Sequence, residues 1–196
     1  TVKENAYRPD WSDPLRRSYT DHLADILSEL LPDGQRGSIS TVPCTFKPWA
    51  EGRLDAITAH LIGHVAHLVR IAADKGKTLV LALEPEPCCY LETIEETVRF
   101  FNDQLFVRSA IERLAKLAGL SMAAAEAAMR RHIGVCYDVC HAAVEFEDAK
   151  ASIEQLRANG ILIAKLQLSS AMKIAAIDRD KLDIVGMTTY YDLCGS

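Results

Sequence analysis

The sequence predicts an α/β fold built on a parallel sheet, and three observations carry that reading. Short apolar runs alternate with longer stretches of helical period from residue 14 to residue 168. One run, TLVLAL at 78–83, is continuously apolar after its first residue, as a strand covered on both faces is. Each pair of runs is separated by enough chain for a helical crossover, and such crossovers are right-handed and place every strand carboxyl end on one side. Four or five strands can be counted in one α/β domain spanning 1–196, short of the eight that close a barrel, so the expectation is a partial or incomplete one.

The elements follow in order. Asp13 before Pro14 is a helix start, because the carboxylate caps free amides and proline is tolerated in the first turn. Leu15, Tyr19, His22, Leu23, Ile26, Leu27 and Leu30 then recur at helical spacing and define the expected buried face, up to the turn Pro32-Asp33-Gly34. GSISTV at 37–42 reads as a strand opening into a loop with Cys44 and Trp49. A long helix is expected over 52–73, with Leu54, Ile57, Leu61, Val65, Leu68 and Ala72 facing a core and Gly76 ending it. After the strand at 78–83 and the loop Glu84-Pro85-Glu86-Pro87 come helical sets at 94–105 and 111–118, then an alanine-rich helix capped by Ser121. A strand at 133–137 ends in Asp138-Val139-Cys140-His141. Phe146, Ala149, Ile153 and Leu156 form the next expected helix face, opened by Glu145, Glu147 and Asp148. ILIAKLQL at 161–168 is a further strand, 182–188 could be one more, and 173–196 carries the weakest pattern.

Composition narrows the functional classes. Of 196 residues, 49% are hydrophobic and 25% charged, enough for a sizeable core. With 22 Lys plus Arg against 27 Asp plus Glu, the net charge of −5 argues against nucleic-acid or anionic-membrane partners. The most hydrophobic helical stretch, 61–73, is interrupted by His64, His67 and Arg70, so no membrane span is expected. The opening TVKENAYRPDW lacks an apolar signal core, and a cytoplasmic location is the expectation. Six cysteines without paired CxxC spacing are expected to be reduced thiols.

Chemistry in parallel α/β folds gathers where strands end. Glu84, Asp138 with His141 three residues on, and Gln167 would together set oxygen and nitrogen donors around one cavity. Carboxylates suit Mg²⁺ or Mn²⁺, and an imidazole also admits Zn²⁺ or Co²⁺. Against this stands the plain fact that acidic residues are common in loops.

LVLALEPEP, GVCYDVCHA and IAKLQLSS, in that order, resemble the metal-binding strand ends of the xylose isomerase-like TIM barrels, which include sugar isomerases, epimerases and endonuclease IV. YRPDW, GSISTVP and LALEPEPCCYLETIEE are more particularly similar to the EboE-type metabolite traffic proteins of that superfamily. The resemblance implies a TIM-barrel-like fold, a divalent metal (Mn, Mg, Zn or Co) on Glu84 and Asp138, and His141 as a second ligand or substrate contact. Gln167 stands where that family carries a strand-borne histidine, and no residue supplies its final glutamate. It further implies isomerase or epimerase chemistry on a sugar-like or polyol ligand, with Glu84 or Glu86 as the base and His141 beside the reacting group. The rival is a barrel that binds or traffics a metabolite without turnover, and a metal-dependent phosphodiesterase acting on DNA ranks below both because the chain is acidic.

Other clusters carry less. Cys88, Cys89, Cys136 and Cys140 with His141 could hold zinc, but the two-residue knuckle of structural zinc sites is missing. His60, His64 and His67 share a helix face without the glutamate of a metalloprotease motif, which fits a partly covered flank. Arg16-Arg17 and Arg130-Arg131-His132 read as helix-surface and last-turn charges. An incomplete barrel leaves sheet edges, so the expectation is either pairing with another chain, as in a homo-oligomer, or further residues in the native protein.

Overall fold

The structure is a computed structural model and describes residues 5–171. Helix α1 (Pro14–Leu30) leads into β1 (Arg36–Thr41), α2 (Leu54–Lys75) and β2 (Thr78–Leu83). Helix α3 (Ile94–Phe100), one π-helical turn (Phe101–Leu105), α4 (Arg108–Ala118) and α5 (Met122–His132) precede β3 (Ile133–Asp138). The short α6 (Val139–Val144), α7 (Ala149–Ala158) and β4 (Leu162–Gln167) complete the described part. The tail from residue 172, and with it the strand expected at 182–188, lies outside the described residues.

The strands form a parallel sheet in the order β1-β2-β3-β4, so each crossover moves one strand over. The sheet is curled into a half-barrel. Strands about 4.8 Å apart would set β1 and β4 about 14 Å from each other if flat, yet Lys165 of β4 reaches Ser40 of β1, Nζ to Oγ, at 2.8 Å. Only a curled sheet brings the outer strands within one lysine's length. Leu79, Leu81, Leu83, Ile133, Val135 and Tyr137 point outward into a core shared with Ile57, Leu61 and Leu68 of α2 and Leu114 of α4. The alternate residues Ala82, Glu84, Cys136, Asp138, Lys165 and Gln167 fall on the concave side, because side chains alternate along a strand.

Gly134 makes the β3–β4 pairing close. A Cβ there would collide with the Leu162 carbonyl oxygen, so only glycine lets β4 approach at this point. The β3–β4 register shifts by one residue immediately after it, between Val135 and Cys136.

Two expectations about buried faces are corrected. On α1 the covered residues are Thr20, Ala24 and Ser28, whereas Leu15, Tyr19, Ile26 and Leu30 are exposed. Small side chains let α1 lie close on α2, where Asp21 and Asp25 meet His64 and His67 and Arg17 lies over Gly63; of the apolar stripe, Leu23 and Leu27 pack partly buried against the core and the rest is left outside. Phe146 is 95% exposed and sits before α7 with φ +56°, because the chain first makes the short helix α6 and then turns; Asp148 alone caps α7. Helix α2 meets the length and composition of a membrane span, with about half of its apolar window covered by the fold. Cys44, Cys136 and Cys140 are thiols, while Cys88 is disulfide-bonded, a departure from six reduced cysteines.

Candidate metal centre

Glu84 follows β2 directly, and its backbone is held by the amide hydrogen bond to the Thr41 carbonyl at 3.1 Å before Pro85 stops the ladder. Asp138 is the last residue of β3 and the N-cap of α6. Its Oδ1 accepts the Cys140 backbone N–H at 2.9 Å and the Ser169 hydroxyl, which spends one oxygen on fixing the carboxylate. Gln167 is the last residue of β4. Its Nε2 donates to Asp138 Oδ2 at 2.6 Å and to Glu84 Oε1 at 2.8 Å, so the three residues predicted to meet at the mouth of the sheet do meet.

His141 stands in the first turn of α6, with Nδ1 3.2 Å from the Pro85 carbonyl oxygen and 3.9 Å from Glu84 Oε1. Donation from Nδ1–H to that carbonyl leaves the lone pair on Nε2, the arrangement by which a ligating histidine is oriented. Glu86 keeps other company. Cys89 Sγ donates to its Oε1 at 3.4 Å, within the small cluster of Tyr7, Phe46, Cys88 and Cys89. Burial and the charges near Cys89 and Glu86 push the Tyr7 hydroxyl far above its usual range.

Three participants escaped the sequence reading of this centre or stood only in a minor alternative. Ligand atoms of Asp138, Cys140 and His141 all lie within 4.8 Å of one another, which adds a thiol to the donor set. Ser169 bonds Asp138 and also accepts the Cys140 amide at 3.0 Å. Lys165 donates to Gln167 Oε1 at 2.7 Å. The signal for Lys165 was present in ILIAKLQL, where a lysine two residues before Gln167 must share its face.

Burial works to raise the Asp138 pKa, but hydrogen bonds from Ser169, Cys140 and Gln167 outweigh it and hold the carboxyl well below its usual range. Asp138 is therefore an ionised acceptor and a poor proton carrier. For Cys140 the Ser169 hydrogen bond favours the thiolate, yet burial and the Asp138 and Glu84 charges prevail and keep the thiol protonated above its ordinary pKa. Cys136, buried near Glu84, is pushed up to about 11 and is inert.

The donors fit a divalent ion in kind: Asp138 supplies oxygen, His141 an imidazole nitrogen and Cys140 a sulfur that favours Zn²⁺ or Co²⁺ over Mg²⁺, with the Glu84 carboxylate beside this group, 3.9 Å from His141 Nδ1. Gln167 does not present a ligand oxygen. An ammonium can only donate, so Lys165 fixes the amide oxygen on its own side and turns the NH₂ toward the carboxylates. No protein-family model, curated protein or solved structure matches this chain, so the chemistry of the centre is read from its own geometry.

Proposed function

We propose that the chain is a divalent-metal-dependent isomerase or epimerase-type protein of the xylose isomerase-like kind, acting on a sugar or sugar-like polyol. The observation that carries this reading is the meeting of Glu84, Asp138 and His141 at the carboxyl end of a curled parallel sheet. A full TIM barrel would extend the described half-barrel with further strands, from this protein or from a second copy. The metal, when bound, supplies a positive charge that polarises a substrate carbonyl or hydroxyl and stabilises the negative charge that develops as a proton moves.

The protein groups divide the remaining work. Asp138 stays ionised and would hold the ion. His141, oriented by the Pro85 carbonyl, would offer its other ring nitrogen to the ion or to a substrate oxygen. A glutamate takes the proton from the carbon beside the carbonyl and returns it to the neighbouring position. Glu84, next to the centre, is the glutamate for this role, because Glu86 is engaged by Cys89 in the cluster around Tyr7 and Phe46.

A second reading rests on a specific observation. The Gln167 amide bridges the two carboxylates and satisfies them without an ion, as expected of a barrel that binds or traffics a metabolite and no longer turns it over. Elemental analysis of purified protein, followed by assays on ketoses and sugar phosphates with Mn²⁺, Mg²⁺, Co²⁺ and Zn²⁺, separates the two. Bound metal that drops about tenfold or more in Glu84→Gln, together with product, supports the isomerase. Metal-free protein that binds a polyol supports the trafficking reading, and cleavage of abasic DNA would overturn both.

A further inference from the structure

We propose that Lys165 is a positioning residue that sets how tightly the centre binds a divalent ion, by holding the Gln167 amide as an internal competitor for Glu84 and Asp138. The inference rests on the metal reading above and deepens it. Lys165 Nζ is fixed at two points, by Ser40 Oγ at 2.8 Å and Gln167 Oε1 at 2.7 Å. From the other end of the same amide, Nε2 reaches Asp138 Oδ2 at 2.6 Å and Glu84 Oε1 at 2.8 Å. The result is one continuous relay from β1 through β4 to the ends of β3 and β2.

The physical consequence is a choice between two occupants. Two carboxylates this close repel each other unless a donor or a cation lies between them. The amide NH₂ is that donor, and it occupies the Asp138 oxygen, Oδ2, that an ion held by Asp138, Cys140 and His141 would draw on, the other being taken by Ser169 and the Cys140 amide. For Gln167 to become a ligand its oxygen must turn inward, which would bring NH₂ against the Lys165 ammonium, donor facing donor. Lys165 therefore opposes the ion twice: it locks the amide in the competing orientation, and its positive charge, one residue-length away, repels a second cation. Ser40 keeps the ammonium from swinging aside.

Zinc titration by calorimetry at neutral pH tests this on the whole chain, with Lys165→Met, Lys165→Arg and Glu84→Gln beside the wild type. Lys165→Met is expected to bind Zn²⁺ about tenfold or more tighter than wild type, the scale on which groups behind the ligands act. Lys165→Arg, which keeps the charge and the donors, is expected to stay within about threefold of wild type. Zinc binding to the wild type that is unchanged or weaker in Lys165→Met overturns the inference and leaves the metal reading standing. No zinc binding to wild type, Lys165→Met or Lys165→Arg overturns the metal reading and the inference with it. If Lys165→Met does not fold, ¹H–¹⁵N spectra of the wild type decide. The Gln167 side-chain NH₂ is expected to be protected from exchange without zinc and to lose that protection as zinc binds. Protection unaltered by bound zinc overturns the inference.

Discussion

At the scale of single residues, the difference between what was readable and what was not is a matter of which atom points where. Glu84, Asp138, His141 and Gln167 could be placed at one mouth because strand ends in a parallel sheet share a side, and the structure brings them together. What a sequence of letters cannot tell is that Gln167 offers nitrogen, since that depends on Lys165 reaching across a curl that no local pattern encodes. Cys140 stood only in the cysteine-rich zinc alternative, for which the knuckle spacing is missing, yet as the second residue of the helix capped by Asp138 it adds its sulfur to the donors. That thiol yields a prediction. It is protonated in the free protein, so zinc must expel its proton, and affinity should rise with pH by about tenfold per unit below the thiol pKa. Zinc titrations at pH 6.5 and 7.5 should show this slope in the wild type and a flatter one in Cys140→Ser; equal slopes would remove Cys140 from the ligand set.

Among the elements, those with a strong local signal emerged where expected. The β2 run matches its predicted limits, and Asp13, Ser121 and Gly76 cap the helices they were expected to cap. Patterns that depend on the partner were harder. The stripe on α1 has the right period for burial but is only half used: Leu23 and Leu27 pack against the core while Leu15, Tyr19, Ile26 and Leu30 face away, because small residues and polar pairs lie centrally against α2. Along 94–105 the period looked continuous, but the chain widens into a π turn that lets the Phe106 amide reach the Phe101 carbonyl at 2.8 Å. Two substitutions test elements that frame the centre. Gly134→Ala should destabilise by about 1–3 kcal/mol in denaturant unfolding, since a methyl there pushes on the β4 backbone, and by displacing Gln167 and Lys165 from the carboxylates it should tighten zinc binding. Thr93→Ala breaks the capping box with Glu96 at the start of α3 and should cost about 1 kcal/mol without altering zinc affinity.

For the molecule as a whole, two buried histidines set the response to acid. Burial lowers the pKa of His64 despite Asp21, with His67 and Arg17 adding to the effect, and burial lowers that of His132 despite its hydrogen bond to the Leu79 carbonyl. A folded-state value below the unfolded value of about 6.5 means that the unfolded chain takes up protons first. Stability is therefore intact above that value and is lost as pH falls below it, by up to about 1.4 kcal/mol per unit for each histidine. Urea unfolding at pH 7.5, 6.5 and 5.5 should show this decline, and His132→Gln, which keeps a donor for Leu79, should show a shallower one. An equal decline in both proteins would place the acid sensitivity elsewhere.

The lysine that ties β4 to β1 also bears on how anything reaches the centre. It lies across the hollow of the half-barrel like a stopper in a cup, with Gln167 seated on top of it. A ligand of the proposed centre would meet Gln167 from the strand-end side, among the surrounding loops, with Lys165 beneath it. Selectivity for the proposed small molecule would then be a property of segments such as 84–92 and 139–148, which can be exchanged without rebuilding the strands beneath them.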